Sequence, residues 1–415
     1  MEDIKKVNAD RLFERILKLA NIGKVGDAGT HRFALTNIDK EAQTLVTKWM
    51  EEAGMKVRND DFGNLIGKKE GRDLDLPSIV IGSHIDTVPN GGRFDGVIGV
   101  LGGIEVVDSI NINEVQHDYS IEVIAFCDEE GSRFSDGLFG SRGMVGLIST
   151  DDLKAKDESG KSRFEALQDM GLNPKKIQKS VRNKEEIKCF LEMHIEQGPY
   201  LEEQNKPIGI VEGIAGPSWL KIRIEGIAGH AGTVPMNLRR DPMVGASEAV
   251  VEIERICKSD LTGSLVGTVG KIKAFPNGKN VIPNAVEFIL DIRDIDLKRK
   301  NDSIQQIEDR IQYICKKRKL NASVEKLQEV EPVKCSTKIV NTLQESNEEL
   351  NFDAPLMLSG AGHDSMYMSQ ITDVGMIFVR SKDGISHNPK EWSSKEDIEK
   401  GVLVLLKTVH KLADS

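Results

Sequence analysis

The texture of the chain changes twice, and the second change restores the first pattern. Up to about residue 212, short apolar runs such as PSIVIGSH and SIEVIAF alternate with helical stripes such as Ala42, Leu45, Val46, Trp49, Met50 and Ala53, closed by Gly54. Continuous apolar runs bounded by turns fit strands buried on both faces, and their alternation with helices predicts an α/β domain with a largely parallel mixed sheet flanked by helices. From about Gly213 the segments WLKIRIEGIAGHAG, GSLVGTVGKIKAF and AVEFILDIRDID alternate apolar with polar residues, with helical stretches around 241–258 and 297–317. The order strand, helix, strand, strand, helix predicts a small α+β domain with one exposed sheet face. Beyond about Pro332 the first pattern returns and ends in a long C-terminal helix. The expected organisation is a discontinuous domain of residues 1–212 and 330–415 with an α+β lid domain inserted at 213–329. A length of 415 residues agrees, because single cores seldom grow past roughly 250–300 residues.

Charge and cysteine content narrow the classes of partner. The formal net charge of -10 leaves no excess of Lys and Arg to neutralise phosphates, which argues against nucleic acid. Local arginines can still hold a small anionic substrate. Cys127, Cys189, Cys257, Cys315 and Cys335 are scattered without a CxxC pair, so neither a disulfide framework nor a thiolate zinc knot is expected. Leu12, Phe13, Ile16, Leu17 and Ala20 have helical spacing, so the N-terminal stretch from Met1 reads as an amphipathic helix ending near Gly23 rather than a signal peptide. No run approaches the roughly 20 apolar residues of a membrane span, and a cytoplasmic setting follows.

The chemistry gathers at strand ends, where open α/β sheets place their sites. In IGSHIDTVPNGGRFDG, His84 leaves a strand, Asp86 follows two residues later and Asp95 sits on a glycine-flanked loop. Imidazole and carboxylate suit zinc, manganese, cobalt or nickel, and a carboxylate has two oxygens with which to bridge two ions. Asp86 is better placed to hold the other nitrogen of His84 and fix its tautomer. In FCDEEGSRF, consecutive acids repel one another unless cations are near. Neighbouring extended residues point opposite ways, so of Glu129 and Glu130 one can ligate while the other works as a general base. LEMHIEQGPYLE contributes His194 and GISHNPKEW contributes His387. Each cluster alone also reads as a capped turn, a solvated acidic loop or a structural histidine. Together His84, Asp95, Glu130, His194 and His387 make one bridging carboxylate plus two ligands for each of two ions, with positions left open for a shared water. GVIGVLGG lacks the GxGxxG fingerprint and reads as helix packing, NLRRDP as a solvated helix start, and His363 in SGAGHDS as pocket wall.

Taken in order, GSHIDTVPNGG, DEEGSRF, MHIEQGP, AGHAGTVPM, NVIPNAVEFILDIRD, SGAGHD and GISHNP resemble the motifs of the N-carbamoyl-L-amino-acid hydrolases. These belong to the aminoacylase and carboxypeptidase clan of two-metal amidohydrolases, which also holds allantoate amidohydrolases and β-ureidopropionases. The resemblance runs from about residue 10 to the C-terminus. It implies that Asp95 bridges two divalent ions completed by His84, Glu130, His194 and His387, and that Glu129 is the catalytic base. It also implies that Gln197, His230, Asn280 and Arg293 contact a carboxylated ureido substrate, with His230 reaching in from the lid of a neighbouring subunit in a homodimer. Without it, Arg293 reads as a strand-surface ion pair with Asp291 or Asp294, and His230 as a loop histidine. One position departs from the pattern: Asp128 stands where relatives commonly carry glutamate.

The reaction so implied is hydrolysis of the ureido carbon–nitrogen bond of an N-carbamoyl-L-amino acid to the L-amino acid, ammonia and carbon dioxide. Allantoate hydrolysis at the same site is the nearest alternative. A catalytically silent binding protein is a further one, disfavoured because every ligand and the base are present.

Overall fold

The computed structural model describes residues 6–134 and 136–413. The chain divides into two compact units, one of Met1–Glu212, Cys335–Met357 and His363–Ser415, the other of Gly213–Lys334 with Leu358–Gly362.

The first unit is built on a mixed sheet with the strand order Ile208–Ile214, Asp373–Val379, Ile187–Ile195, Ser78–His84, Ile121–Phe126, Leu65–Lys69, Lys56–Asn59. The four strands from Asp373–Val379 to Ile121–Phe126 run parallel. The sheet margins are antiparallel. Every residue of Ser78–His84 and Ile121–Phe126 is buried, which explains their unbroken apolar character. Register places His84 beside Phe126 and His194 beside Phe378, so the loops leaving these strands start level with one another.

The helix Val97–Ile112 packs on three of these strands and is buried along nearly its whole length. Its glycines permit that approach: a Cβ at Gly99 would fall 2.4 Å from the Met193 carbonyl, and one at Gly103 would fall 3.0 Å from Ile81. Asn37–Glu52 starts at Thr36, whose hydroxyl accepts the Asp39 amide, and is followed by Gly54 at φ +73°. The first helix runs Ala9–Leu19, shorter than expected. Beyond it the carbonyls of Leu19 and Ile22 are taken by the buried Arg32 guanidinium, which also holds Ile85 O at 2.7 Å. Residues 1–5 of the expected helix lie outside the described residues.

In the second unit an antiparallel sheet has the order Val266–Phe275, Ala285–Asp294, Gly216–Glu225, Asn321–Glu329. Pro242–Lys258 and Leu297–Arg318 pack on it over a core of Leu220, Ile222, Ile224, Phe288, Leu290 and Ile311. Burial alternates along Gly216–Glu225 and Ala285–Asp294, as a sheet covered on one face requires. Asn321–Glu329 is a fourth strand the sequence does not announce, because it is an edge strand exposed at most positions. A helix does start at NLRRDP, with Asp241 capping Pro242–Lys258, but the stretch is not simply solvated: Arg239 donates to the carbonyls of Ala231 and Val234.

All five cysteines are buried and free. Among the described residues no helix is long and apolar enough to cross a membrane.

Candidate metal centre

His84, Asp95, Glu130, His194 and His387 converge at the carboxyl ends of the parallel strands, within the first unit. Their ligand atoms form two groups, His84 with Asp95 and His194, and Asp95 with Glu130 and His387, each with its atoms within 4.8 Å of one another. Asp95 belongs to both, and its two oxygens divide the work. Oδ1 lies 3.4 Å from His84 Nε2 and 3.1 Å from His194 Nε2, while Oδ2 lies 3.5 Å from His387 Nε2. Glu130 Oε2 is 3.5 Å from the same His387 nitrogen.

Local backbone geometry makes this convergence possible. Gly96, at φ +65°, precedes the helix Val97–Ile112, and a Cβ there would strike the His84 ring at 2.4 Å. Asp128, Gln197 and His387 all adopt left-handed backbone, at φ +56°, +59° and +53°. The turn at Asp128, rather than the strand alternation anticipated, is what separates Glu129 from Glu130. Glu129 Oε2 approaches His84 Nε2 at 3.6 Å, whereas Glu130 faces His387.

Hydrogen bonds fix the imidazoles. Nδ1 of His84 meets the Asp86 carbonyl at 3.1 Å, and Nδ1 of His194 meets the Ile195 carbonyl at 2.9 Å. Carbonyls only accept, so each Nδ1 carries a proton, and Nε2 is the nitrogen turned toward Asp95. The Gly96 amide, donating to His194 Nε2 at 3.1 Å, agrees. The expectation for Asp86 needs correcting in its atoms. Its main-chain carbonyl holds His84, with the carboxylate 3.7 Å away; the carboxylate instead accepts the amides of Glu129, at 3.2 Å, and Glu130, at 3.1 Å.

The electrostatics show an excess of negative charge in a dry place. Burial holds Glu129 well above the carboxylate range, with His84 pulling it down and Glu130 and Asp364 adding to the rise. Burial and the Asp95 charge do the same to Glu130. Burial opposes ionisation of Asp95 too, yet His194 and His84 hold it well below its usual value. His84 rises well above an ordinary imidazole because Glu129, Asp95 and Asp86 together outweigh its burial.

Of the other expected site residues, Gln197 joins the cluster: its Nε2 donates to Asp95 Oδ2 at 2.8 Å, and its buried Oε1 has no hydrogen-bond partner among the described residues. His230, Asn280 and Arg293 belong to the second unit. There the short strands Gly229–His230 and Val281–Ile282 pair, and Ala231 donates to the Asn280 carbonyl, which brings His230 and Asn280 onto neighbouring segments. Arg293 makes the ion pair the sequence allowed: Nε and Nη2 hold both oxygens of Asp291 at 2.9 and 2.8 Å, and Nη1 donates to Gly360 O.

Three neighbours escaped the sequence reading. Ser386 donates to Asp95 Oδ2 at 2.7 Å. Its position directly before His387 was the available signal. Asp364 is fully buried, and burial with the Glu192 charge holds its carboxyl well above the usual range, Ser141 pulling it down. Arg163, also fully buried, pairs with Asp128 at 3.1 Å and lies over the rings of Phe134 and Phe139. The one departure from the motif thus lies at the first acid, which faces a guanidinium rather than the ligand cluster. His363 is wall as anticipated, its ring 4.6 Å from that of His194.

The sequence profile of peptidase family M20/M25/M40 matches residues 80–411, a span that includes every residue of this cluster. The chain belongs to that family. Within the M20 family it is 54% identical over 407 residues to an N-carbamoyl-L-amino-acid amidohydrolase of Pseudomonas sp. (strain NS671), covering 98% of each chain. A second such amidohydrolase, from Geobacillus stearothermophilus, is 43% identical over 98% of this chain and 99% of its own. A crystal structure of an amidase of the hydantoinase/carbamoylase family from Burkholderia multivorans superposes with a TM-score of 0.94 at 35% identity, covering all of both chains. The M20 family is metal-dependent, and the donor set here fits divalent cations. Three imidazoles and two carboxylates converge there, in a buried pocket whose charge draws in protons or cations.

Proposed function

We propose that this M20 member hydrolyses the ureido carbon–nitrogen bond of N-carbamoyl-L-amino acids, yielding the L-amino acid, ammonia and carbon dioxide, with two divalent cations as cofactors. One observation carries the reading: the two oxygens of Asp95 face two separate ligand groups, and the Glu129 carboxylate stands beside the first of them. Relatives of that activity at 54% and 43% identity support the substrate class.

His84, His194 and Asp95 Oδ1 would hold one cation, and Glu130, His387 and Asp95 Oδ2 the other. Zinc, manganese, cobalt and nickel all suit these ligands, and such cations polarise a carbonyl and lower the pKa of water. The chain's own groups manage the protons. Burial makes Glu129 a stronger base than an exposed carboxylate, so it takes the proton of the attacking water and returns one to the departing nitrogen. Asp86 fixes that base by accepting the Glu129 and Glu130 amides. Gln197, its Nε2 committed to Asp95, presents an open Oε1 to a substrate N–H.

In the second unit, which we read as a lid and dimerisation domain, exposed His230 would stabilise the oxyanion across a homodimer. Asn280 and Arg293 would hold the α-carboxylate, so a substrate has to share Arg293 with Asp291.

The test is ammonia release by the metal-loaded protein from N-carbamoyl-L-methionine and from allantoate. The first should be hydrolysed, and hydrolysis of allantoate alone would overturn the substrate assignment. Glu129→Gln should keep its metals and lose roughly 10²–10⁴-fold in kcat. Activity within tenfold of wild type would remove Glu129 from the role of base.

A further inference from the structure

The segment that supplies His387 supplies a second acid, Glu391, which is 1% exposed. Its Oε1 accepts three consecutive main-chain amides, of Arg93 at 3.0 Å, Phe94 at 2.8 Å and Asp95 at 3.1 Å. Its Oε2 lies 3.2 Å from the Ser386 hydroxyl, which also reaches Asp95 Oδ2 at 2.7 Å. The carboxyl group of Glu391 therefore holds the main chain of Asp95 directly, and its Oε2 lies against Ser386, the hydroxyl that serves the Asp95 side chain. The contact requires a bare backbone beside it: a Cβ on Gly92 would fall 2.1 Å from the Glu391 carboxyl group. Glycine at 92 and glutamate at 391 are thus two halves of one device, joining the loop that carries Asp95 to the loop that carries His387.

We propose that Glu391 is a positioning residue for the bridging carboxylate. It fixes the loop of residues 92–95 against residues 386–391, so that Asp95 Oδ2 and His387 are aligned before a cation reaches them. It contacts neither substrate nor cation, and three amides on one oxygen leave that oxygen no capacity for a metal. The outer group of Asp95, Glu130 and His387 depends on this link more than the inner one does, because His84 and His194 are carried by strands of the sheet while His387 sits on a loop. The inference rests on the reading of Asp95 as a bridge between two cations.

The experiment is Mn(II) binding to the metal-free full-length chain, followed by the EPR signal of free Mn(II), for wild type, Glu391→Gln, Glu391→Ala, Ser386→Ala and Gly92→Ala. Glutamine keeps an acceptor for the three amides and offers its NH₂ to Ser386, so Glu391→Gln should bind both equivalents within about threefold of wild type. Glu391→Ala should weaken the second equivalent by about tenfold or more, the range in which outer-shell partners of metal ligands act, and the first by less. Ser386→Ala, which keeps the amide contacts, should weaken the second equivalent alone. Gly92→Ala should resemble Glu391→Ala, and the double variant should be no worse than either single one. Wild-type affinity for both equivalents in Glu391→Ala overturns the proposal. So does equal loss of both equivalents, which a general structural defect would give, or damage in Glu391→Gln matching that in Glu391→Ala. Should Glu391→Ala not fold, an unchanged second equivalent in Ser386→Ala overturns it. Wild-type protein that binds fewer than two equivalents refutes the bridging reading itself, an outcome separate from all of these.

Discussion

Alanine at Gly99 should unseat the helix Val97–Ile112, whereas alanine at Gly102 in the same helix should be nearly silent. Both substitutions gain about 1 kcal/mol of helix propensity. They differ in what the new methyl meets. At Gly99 it would lie 2.4 Å from the Met193 carbonyl oxygen and 2.7 Å from Ser83 Cβ. Ordinary contact begins at 3.4 Å, so helix or strand backbone must retreat by about 1 Å. At Gly102 the nearest atom is Met193 Cε at 2.6 Å, the free end of a flexible side chain that can rotate away. Overpacking against backbone costs about 1–3 kcal/mol and occasionally more, which offsets the propensity gain at Gly99 and leaves a net loss of up to about 2 kcal/mol. Gly102→Ala should stay within about 1 kcal/mol of wild type. Urea unfolding of the metal-free proteins reads both. Because Met193 precedes His194 and Ser83 precedes His84, Gly99→Ala should also weaken Mn(II) binding while Gly102→Ala leaves it unchanged. Equal midpoints for the two variants would refute the argument from backbone contact.

Arg293→Ala should raise KM for N-carbamoyl-L-methionine by about tenfold or more while leaving metal content intact, since a charge-assisted pair is worth roughly 1.5–3 kcal/mol; an unchanged KM would return Arg293 to its ion pair with Asp291. Dialysis against chelator should abolish ammonia release, and manganese, cobalt, nickel or zinc should restore it; activity that survives verified metal removal would rule out a metal-dependent reaction. Asp39, pushed up to about 7 by burial, is protonated in the fold where an unfolded carboxyl would ionise near 3.8. Wild type should therefore lose stability relative to Asp39→Asn as pH rises from 4 to 7, by at most about 4 kcal/mol, and below pH 4 the difference should no longer change with pH. A wild-type urea midpoint that does not fall relative to that of Asp39→Asn over that range would contradict the shift.

What could be read from the sequence was whatever repeats locally or sits at a strand end. The runs PSIVIGSH and SIEVIAF declared buried strands because both faces are covered, and the acids and histidine at their ends declared a site. Asn321–Glu329 was missed because an exposed edge strand needs no apolar pattern. The atoms by which side chains act were also beyond reach. Periodicity could pair Asp86 with His84, but not tell that the main-chain carbonyl does the pairing while the carboxylate turns to Glu129 and Glu130. Contacts such as Ser386 with Asp95, 291 residues apart, and Arg163 with Asp128 depend on chain closure that no local window contains.

The left-handed turns at Gln197 and His387 set the interests of the fold against those of the centre. Each forces an L-residue into backbone that costs roughly 1–2 kcal/mol, a strain glycine would relieve at once. A library selected only for survival at high temperature should therefore drift toward glycine or asparagine at these two positions, and its hardiest members would be the ones that had lost their chemistry.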